Sequence, residues 1–205
     1  MKKPVLHASW PPSWKESYKY DKLEAFDELI PESLGYAYAY ARRRAQILEA
    51  VGTHVPRHSH ILDIAAAQGN FSLWLAEWGY KVTWNDLREE LADYVRLKHE
   101  HGDVTYRSGN CFDLSFDRLF DAVLVTEIIE HVAHPDEFLR TVAALVRPGG
   151  IIIMTTPTGE YLLNPLLKFS ECSDPSQYES VQFKPNADGH IFLLHVEEIR
   201  DLAMA

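Results

Sequence analysis

The stretch HILDIAAAQGNFSLWLAEWGYKVTWND, residues 60–86, runs from an apolar strand through a turn of small residues and a helix into a second strand. HILDIA (60–65) and KVTWND (81–86) are short and apolar, and 70–78 reads as a helix between them. A helical connection between two such runs builds a βαβ unit, whose strands lie parallel. The same alternation continues outward. Strand-like runs recur at VTYRSG (104–109), DAVLVT (121–126) and GIIIMTT (150–156), with helical stretches at 88–101 and 136–146. Right-handed crossovers then give a doubly wound, parallel α/β sheet.

Upstream, Leu34, Tyr38, Ala41, Ala45 and Leu48 repeat at helical spacing and predict an amphipathic helix ending near Gly52. Tyr36, Tyr38 and Tyr40 alternate as in a strand, but the alanines and arginines around them favour helix. Residues 1–34 carry Trp10, Trp14, Tyr18 and Tyr20, read either as a lid over an acceptor or as packing against the sheet. Residues 157–190, with Pro157, Pro165, Pro175 and Pro185, frame an acceptor pocket after the fifth strand. The stretch HVEEIRDLAMA (195–205) starts a helix. An open parallel sheet normally has more to follow, so the expectation is a single domain over 1–205 with a truncated C-terminus. The fifth strand then has an open edge, which invites a homodimer.

The composition, 46% hydrophobic and 24% charged over 205 residues, is that of an ordinary globular protein. No apolar run approaches the roughly 20 residues that span a bilayer, and no apolar stretch of a secretory signal follows the first lysines. Cys111 and Cys172 form no metal or redox spacing, so a cytoplasmic location is expected. A formal net charge of −10 opposes nucleic acid as a partner. The one basic cluster, Arg42, Arg43 and Arg44, is a solvated helix face or supplies a contact to a carboxylate ligand.

In an open parallel sheet, ligands bind beyond the carboxyl ends of the strands, where the strand order reverses. After the first strand stand Asp63, Ala65, Ala66, Ala67, Gln68, Gly69 and Asn70. Small residues there let backbone approach a ligand, or equally let a helix pack on the sheet. Asp86 ends the second strand at nearly the spacing of roughly 20 residues expected of an acid that grips a ribose diol; alone, it reads as a helix cap. Together and in this order, the two features point to a nucleoside ligand. NAD-type dehydrogenases need three glycines in that turn, and this run has one. Past the fourth strand, Glu127, Glu130 and His131 have the spacing that groups side chains on one helical turn, and His190 follows in the stretch Asp188–Phe192.

ILDIAAAQGNFS resembles the first motif of class I S-adenosylmethionine-dependent methyltransferases, VTWNDL the second and GNCFDLSF the third. FDAVLVTEIIEHVAHPDEFLR resembles the fourth and LVRPGGIIIMTTPTGEYLLN the fifth, all in family order from about residue 45 onward. The resemblance implies a Rossmann-like fold, here lacking the family's C-terminal antiparallel strands, and S-adenosyl-L-methionine as cofactor. It implies that Asp63, Ala65, Gly69 and Asn70 border the methionine part, that Asp86 binds the ribose and that Leu87 packs near the adenine. Asn110, Cys111 and Phe112 would flank the adenine and Thr126 line the floor. The family usually has glycine where this chain has Ala65 and Ala67, a departure that bears on cofactor binding.

The Glu127, Glu130 and His131 set resembles two metal-using branches, the ubiquinone-pathway O-methyltransferases and the small-RNA 2′-O-methyltransferases. In the second branch, two glutamates, a histidine and a later histidine hold a divalent ion; Glu127, Glu130, His131 and His190 match them, and Mg²⁺ or Mn²⁺ would suit such ligands. The preferred reading has no metal: His131, Glu127 and Glu130 are catalytic, with His131 as base or substrate orienter. The expected function is methyl transfer to a small-molecule acceptor, a hydroxyl on a sugar or aromatic ring, as in stand-alone enzymes of bacterial polysaccharide and natural-product pathways. A cofactor-binding module without catalysis is the alternative, and a metal-dependent RNA 2′-O-methyltransferase the third reading.

Overall fold

In the computed structural model, which describes residues 1–160, 163–182 and 189–204, five strands form one sheet. They are β1 (His60–Ile64), β2 (Lys81–Asp86), β3 (Asp103–Ser108), β4 (Phe120–Thr126) and β5 (Val146–Thr155), in the order β3-β2-β1-β4-β5. Every pairing is parallel, as the alternating pattern requires. The helices are α1 (Pro12–Glu24), α2 (Leu34–His54), α3 (Asn70–Glu77), α4 (Glu90–Lys98), α5 (Pro135–Leu145) and α6 (Val196–Met204). From β1 the chain builds outward through β2 and β3, then returns to lay β4 and β5 on the other side. The order therefore reverses between β1 and β4, and the loops after them diverge to leave a crevice.

Burial on both faces explains why the central strands β1 and β4 are largely apolar, whereas β3 and β5 at the edges are only partly buried. Ile61, Val82 and Leu124 pack with Ile47, Val51 and Phe71 on one side of the sheet. Leu62, Val123 and Val125 pack with Phe138, Val142 and Phe192 on the other. Successive strand residues point to opposite faces, so each strand serves both layers.

The structure corrects the expected face of α2. Its buried stripe is Ala37, Tyr40, Ile47 and Val51, while Leu34 and Tyr38 are exposed. The stripe is turned by about one residue because the bulky Ile47 and Val51 take the sheet, and Tyr40 stacks on Phe71 at 6.1 Å. Residues 12–24 of the N-terminal segment form the helix α1, and Trp10 and Trp14 pack edge-on and tilted against Tyr94 of α4, each at 5.8 Å. Pro185 and Asp188 lie outside the described residues. β5 pairs only with β4, so its other side is an open edge among the described residues. No helix among them is long and apolar enough to cross a membrane.

Candidate active site

The turn after β1 has an unusual backbone. Ala65 and Ala67 occupy the left-handed region, at φ +49° and +47°, where an alanine costs on the order of 1 kcal/mol. The end of β2 holds the turn in place: Ala66 N donates to Asn85 O (2.8 Å), Ala67 N to Asp86 Oδ2 (2.8 Å) and Trp84 Nε1 to Ala67 O (3.1 Å). The two alanines therefore keep the backbone shape that glycine would adopt freely. At Gly69 (φ +70°) only glycine fits, since a Cβ would stand 2.7 Å from Val95 Cγ1. Beneath the turn Asp63 is fully buried; Ser72 Oγ donates to its Oδ2 (2.6 Å), and its Oδ1 has no partner among the described residues. Burial pushes its carboxyl up to about 7.

Two cavities open at the carboxyl ends of the strands and meet at Ala65. The larger, about 400 Å³, is mainly apolar and is lined by Leu87, Asn110, Cys111, Phe112, Ile128 and Phe138, among others. The smaller, about 200 Å³, is polar, with Glu24, Tyr40, Arg43, Gln68, Asn70, Thr126 and Glu127 in its walls. S-adenosylmethionine has a flat purine at one end and a charged amino acid at the other. Two joined cavities of matching character fit that group: Leu87 and Phe112 stand in the apolar one, and Asn70 and Thr126 in the polar one. Asn110 shapes its side: its Oδ1 accepts from Phe112 N (3.2 Å) and its Nδ2 donates to Asp113 (3.0 Å). Burial pushes the Cys111 thiol up to about 12, so it serves as an apolar wall.

Asp63, Gly69 and Asp86 line neither cavity. Asp86 is buried at the end of β2, and its carboxylate already accepts from Ala67 N and Arg88 N, at 2.8 and 2.9 Å. Arg88 adds Nε at 2.9 Å and Nη2 at 3.1 Å, so the lone pairs are filled from within. A ribose diol reaches this carboxylate only if the half-exposed Arg88 swings aside.

After β4 the three expected catalytic side chains separate. Glu127 has φ +54° and turns into the polar cavity, where Oε2 pairs with Arg43 Nη1 at 2.7 Å. Ile129–His131 form one 3₁₀ turn, not an α-helical turn, and Glu130 and His131 are not among the residues that line the polar cavity. The grouping of all three expected from spacing is corrected to Glu130, His131 and His190, whose ligand atoms lie within 4.8 Å of one another. Glu130 is buried; Thr156 Oγ1 donates to Oε2 (3.0 Å), while Oε1 accepts no hydrogen bond among the described residues. Burial first, and the Glu127 charge second among the raising causes, push its carboxyl up to about 7. His131 Nδ1 lies 3.1 Å from Gly189 O, and its Nε2 4.0 Å from Glu130 Oε1. Two imidazoles and an unpartnered carboxylate oxygen are a donor set that would suit Mn²⁺ better than Mg²⁺.

Sequence reading misses Glu24. It reaches the polar cavity from the end of α1, accepting from Gln68 Nε2 (2.7 Å), Asn70 Nδ2 (3.0 Å) and the Tyr36 hydroxyl. Asn70 in turn accepts from the fully buried Lys98 (2.7 Å), which also pairs with Asp21 (2.7 Å). Acids three residues apart at 21 and 24 are the only hint in the sequence, and they read equally as a solvated face.

Residues 36–205 match the family model described as a methyltransferase domain. The ubiquinone biosynthesis O-methyltransferase of Caulobacter vibrioides is 40% identical over 100 residues, 47% of this chain and 40% of that protein. The protein of the same name from Xanthomonas axonopodis pv. citri is 36% identical over 105 residues, 49% of this chain and 44% of its own length. The chain thus spans less than half the length of the curated relatives that it matches. Among solved structures, the [4+2]-cyclase SpnF superposes with a TM-score of 0.58 at 16% identity, covering 82% of this chain and 56% of that one. The glycopeptide N-methyltransferase MtfA superposes with a TM-score of 0.50 at 19% identity, covering 57% and 54%. A cyclase and a methyltransferase on one fold leave the chemistry to the site.

Proposed function

The chain belongs to the methyltransferase domain family, with the class I S-adenosylmethionine-dependent fold, and from that premise we propose that it methylates a hydroxyl group of a small-molecule acceptor. The observation that carries this reading is the pair of cavities, apolar and polar, joined at Ala65 over the carboxyl ends of β1 and β4. The relatives named as O-methyltransferases favour oxygen as the atom methylated. The net charge of −10 supports a small acceptor over a polyanion. The two free cysteines, Cys111 and Cys172, support a reducing, cytoplasmic setting. A homodimer through the open edge of β5 belongs to the same proposal.

The sulfonium methyl is already activated, so the protein's work is to align an oxygen with it, exclude water and take up one proton. With Nδ1–H donating to Gly189 O, His131 keeps Nε2 free of a proton and able to accept one. Glu130, 4.0 Å from Nε2, then steadies the positive imidazolium as it forms. Glu127 and Arg43 set the charge of the polar cavity. A Glu130–His131–His190 metal site is the second reading, favoured by the unpartnered Oε1 of Glu130.

Calorimetric titration with S-adenosylhomocysteine tests the nucleoside site, with Asp86→Asn as control. Micromolar binding, weakened by at least about tenfold in the variant (about 1.4 kcal/mol), is the expected result. No binding to the wild type would overturn the reading. Turnover on hydroxyl acceptors with and without EDTA then separates the base from the metal.

A further inference from the structure

We infer that Arg43 is a ligand-operated latch on Glu127: the carboxylate at the amino-acid end of a bound donor takes over the guanidinium, and Glu127 is released from its ion pair. This rests on the methyltransferase reading above and adds a regulation of the same site.

Charge in the polar cavity leads to this conclusion. Among the described residues, Arg43 is the one cation in its walls, facing the two carboxylates of Glu24 and Glu127. Glu24 is already supplied with donors by Gln68, Asn70 and Tyr36, so it does not compete for Arg43. An incoming carboxylate therefore has a single positive partner, and that partner is held by Glu127 at 2.7 Å. The hold is one-sided. Nη1 makes the ion pair, while the buried Nε has no hydrogen-bond acceptor among the described residues, so only part of the guanidinium is committed to Glu127.

Both partners stay partly exposed, at 26% and 30% of their side chains, so the pair opens without unburying a charge. Arg43 is steadied by the ring of Tyr40, 5.1 Å from its centroid, whichever carboxylate it meets. Glu127 is held towards Arg43 by a left-handed backbone (φ +54°), and its N–H is tied to Thr155 O at 2.9 Å.

The test compares S-adenosylhomocysteine with 5′-methylthioadenosine, which keeps the adenosine and the sulfur but lacks the amino acid. Calorimetry on Glu127→Gln should show S-adenosylhomocysteine binding about threefold to fivefold tighter, the scale of a partly exposed ion pair. Methylthioadenosine should change by less than about twofold, and its binding also reports that the variant is folded. In Arg43→Gln the first ligand weakens and the second does not, and adding Glu127→Gln to it brings no further gain. Unchanged S-adenosylhomocysteine affinity in Glu127→Gln, or an equal shift for both ligands, overturns the latch alone. If the wild type binds neither ligand, the methyltransferase reading falls, and the latch with it.

Discussion

Burial beneath the turn raises the Asp63 carboxyl to about 7 even though Ser72 donates to it, and Glu130 is raised to the same level behind β4. Both acids hold their proton more tightly folded than unfolded. Their contribution to stability is fully present below the unfolded values, 3.8 and 4.5, and is lost as pH rises through about 7. Each accounts for a few kcal/mol at most, since a tenfold change in proton affinity is worth roughly 1.4 kcal/mol. Asp121 and Glu198 are shifted the other way by their hydrogen bonds and lose stability in acid. Asp63→Asn should therefore flatten the fall in stability between about pH 4 and 7, which urea denaturation across that range would measure. A variant with the wild-type slope would show that Asp63 is ionised in the fold at neutral pH.

At the scale of elements, α1 is joined to the ligand turn by a buried chain running from Asp21 through Lys98 and Asn70 to Glu24. Lys98→Met leaves the buried Asp21 carboxylate with the Tyr94 hydroxyl but no positive partner, its Oδ1 already lacking a hydrogen bond among the described residues, and should destabilise the protein by about 3–5 kcal/mol. Asp21→Asn added to it should restore much of the loss, with Trp10 and Trp14 fluorescence reporting α1 in its place. Equal losses in the single and double variants would deny the coupling. This chain also marks the limit of reading the sequence. The βαβ alternation is legible because burial on both faces makes strands apolar, and the turn at Asp63–Asn70 because small residues interrupt that pattern. The face of α2 reads one residue out, since Leu34 and Tyr38 are as apolar as Ile47 and Val51 until the sheet is there to choose. Arg43 looks no different from Arg42 and Arg44, because only the cavity separates them. Glu127 parts from Glu130 and His131 because a positive φ breaks the helical spacing on which their grouping relies.

For the whole molecule, the edges of the sheet matter most. Among the described residues β3 and β5 are the two edge strands, and the free edge of β5 lies next to a groove of about 580 Å³ lined by Leu139, Ile152, Met154, Ile199 and Leu202, among others. An apolar edge with unpaired backbone groups draws another strand. Light scattering at high concentration should show self-association, reduced by Ile152→Lys; a clean monomer would count against it.

The Asp21–Lys98 pair has a consequence in time. The two residues are 77 apart in the chain, so at about 5–20 residues per second Asp21 is made roughly 4–15 s before the lysine that neutralises it. For nearly all of that interval Tyr94, on which Trp10 and Trp14 pack, has not been made either. During synthesis α1 thus waits on a half-built sheet. α1 is seated only once α4 has been made, and the wall that Glu24 gives the polar cavity arrives with it.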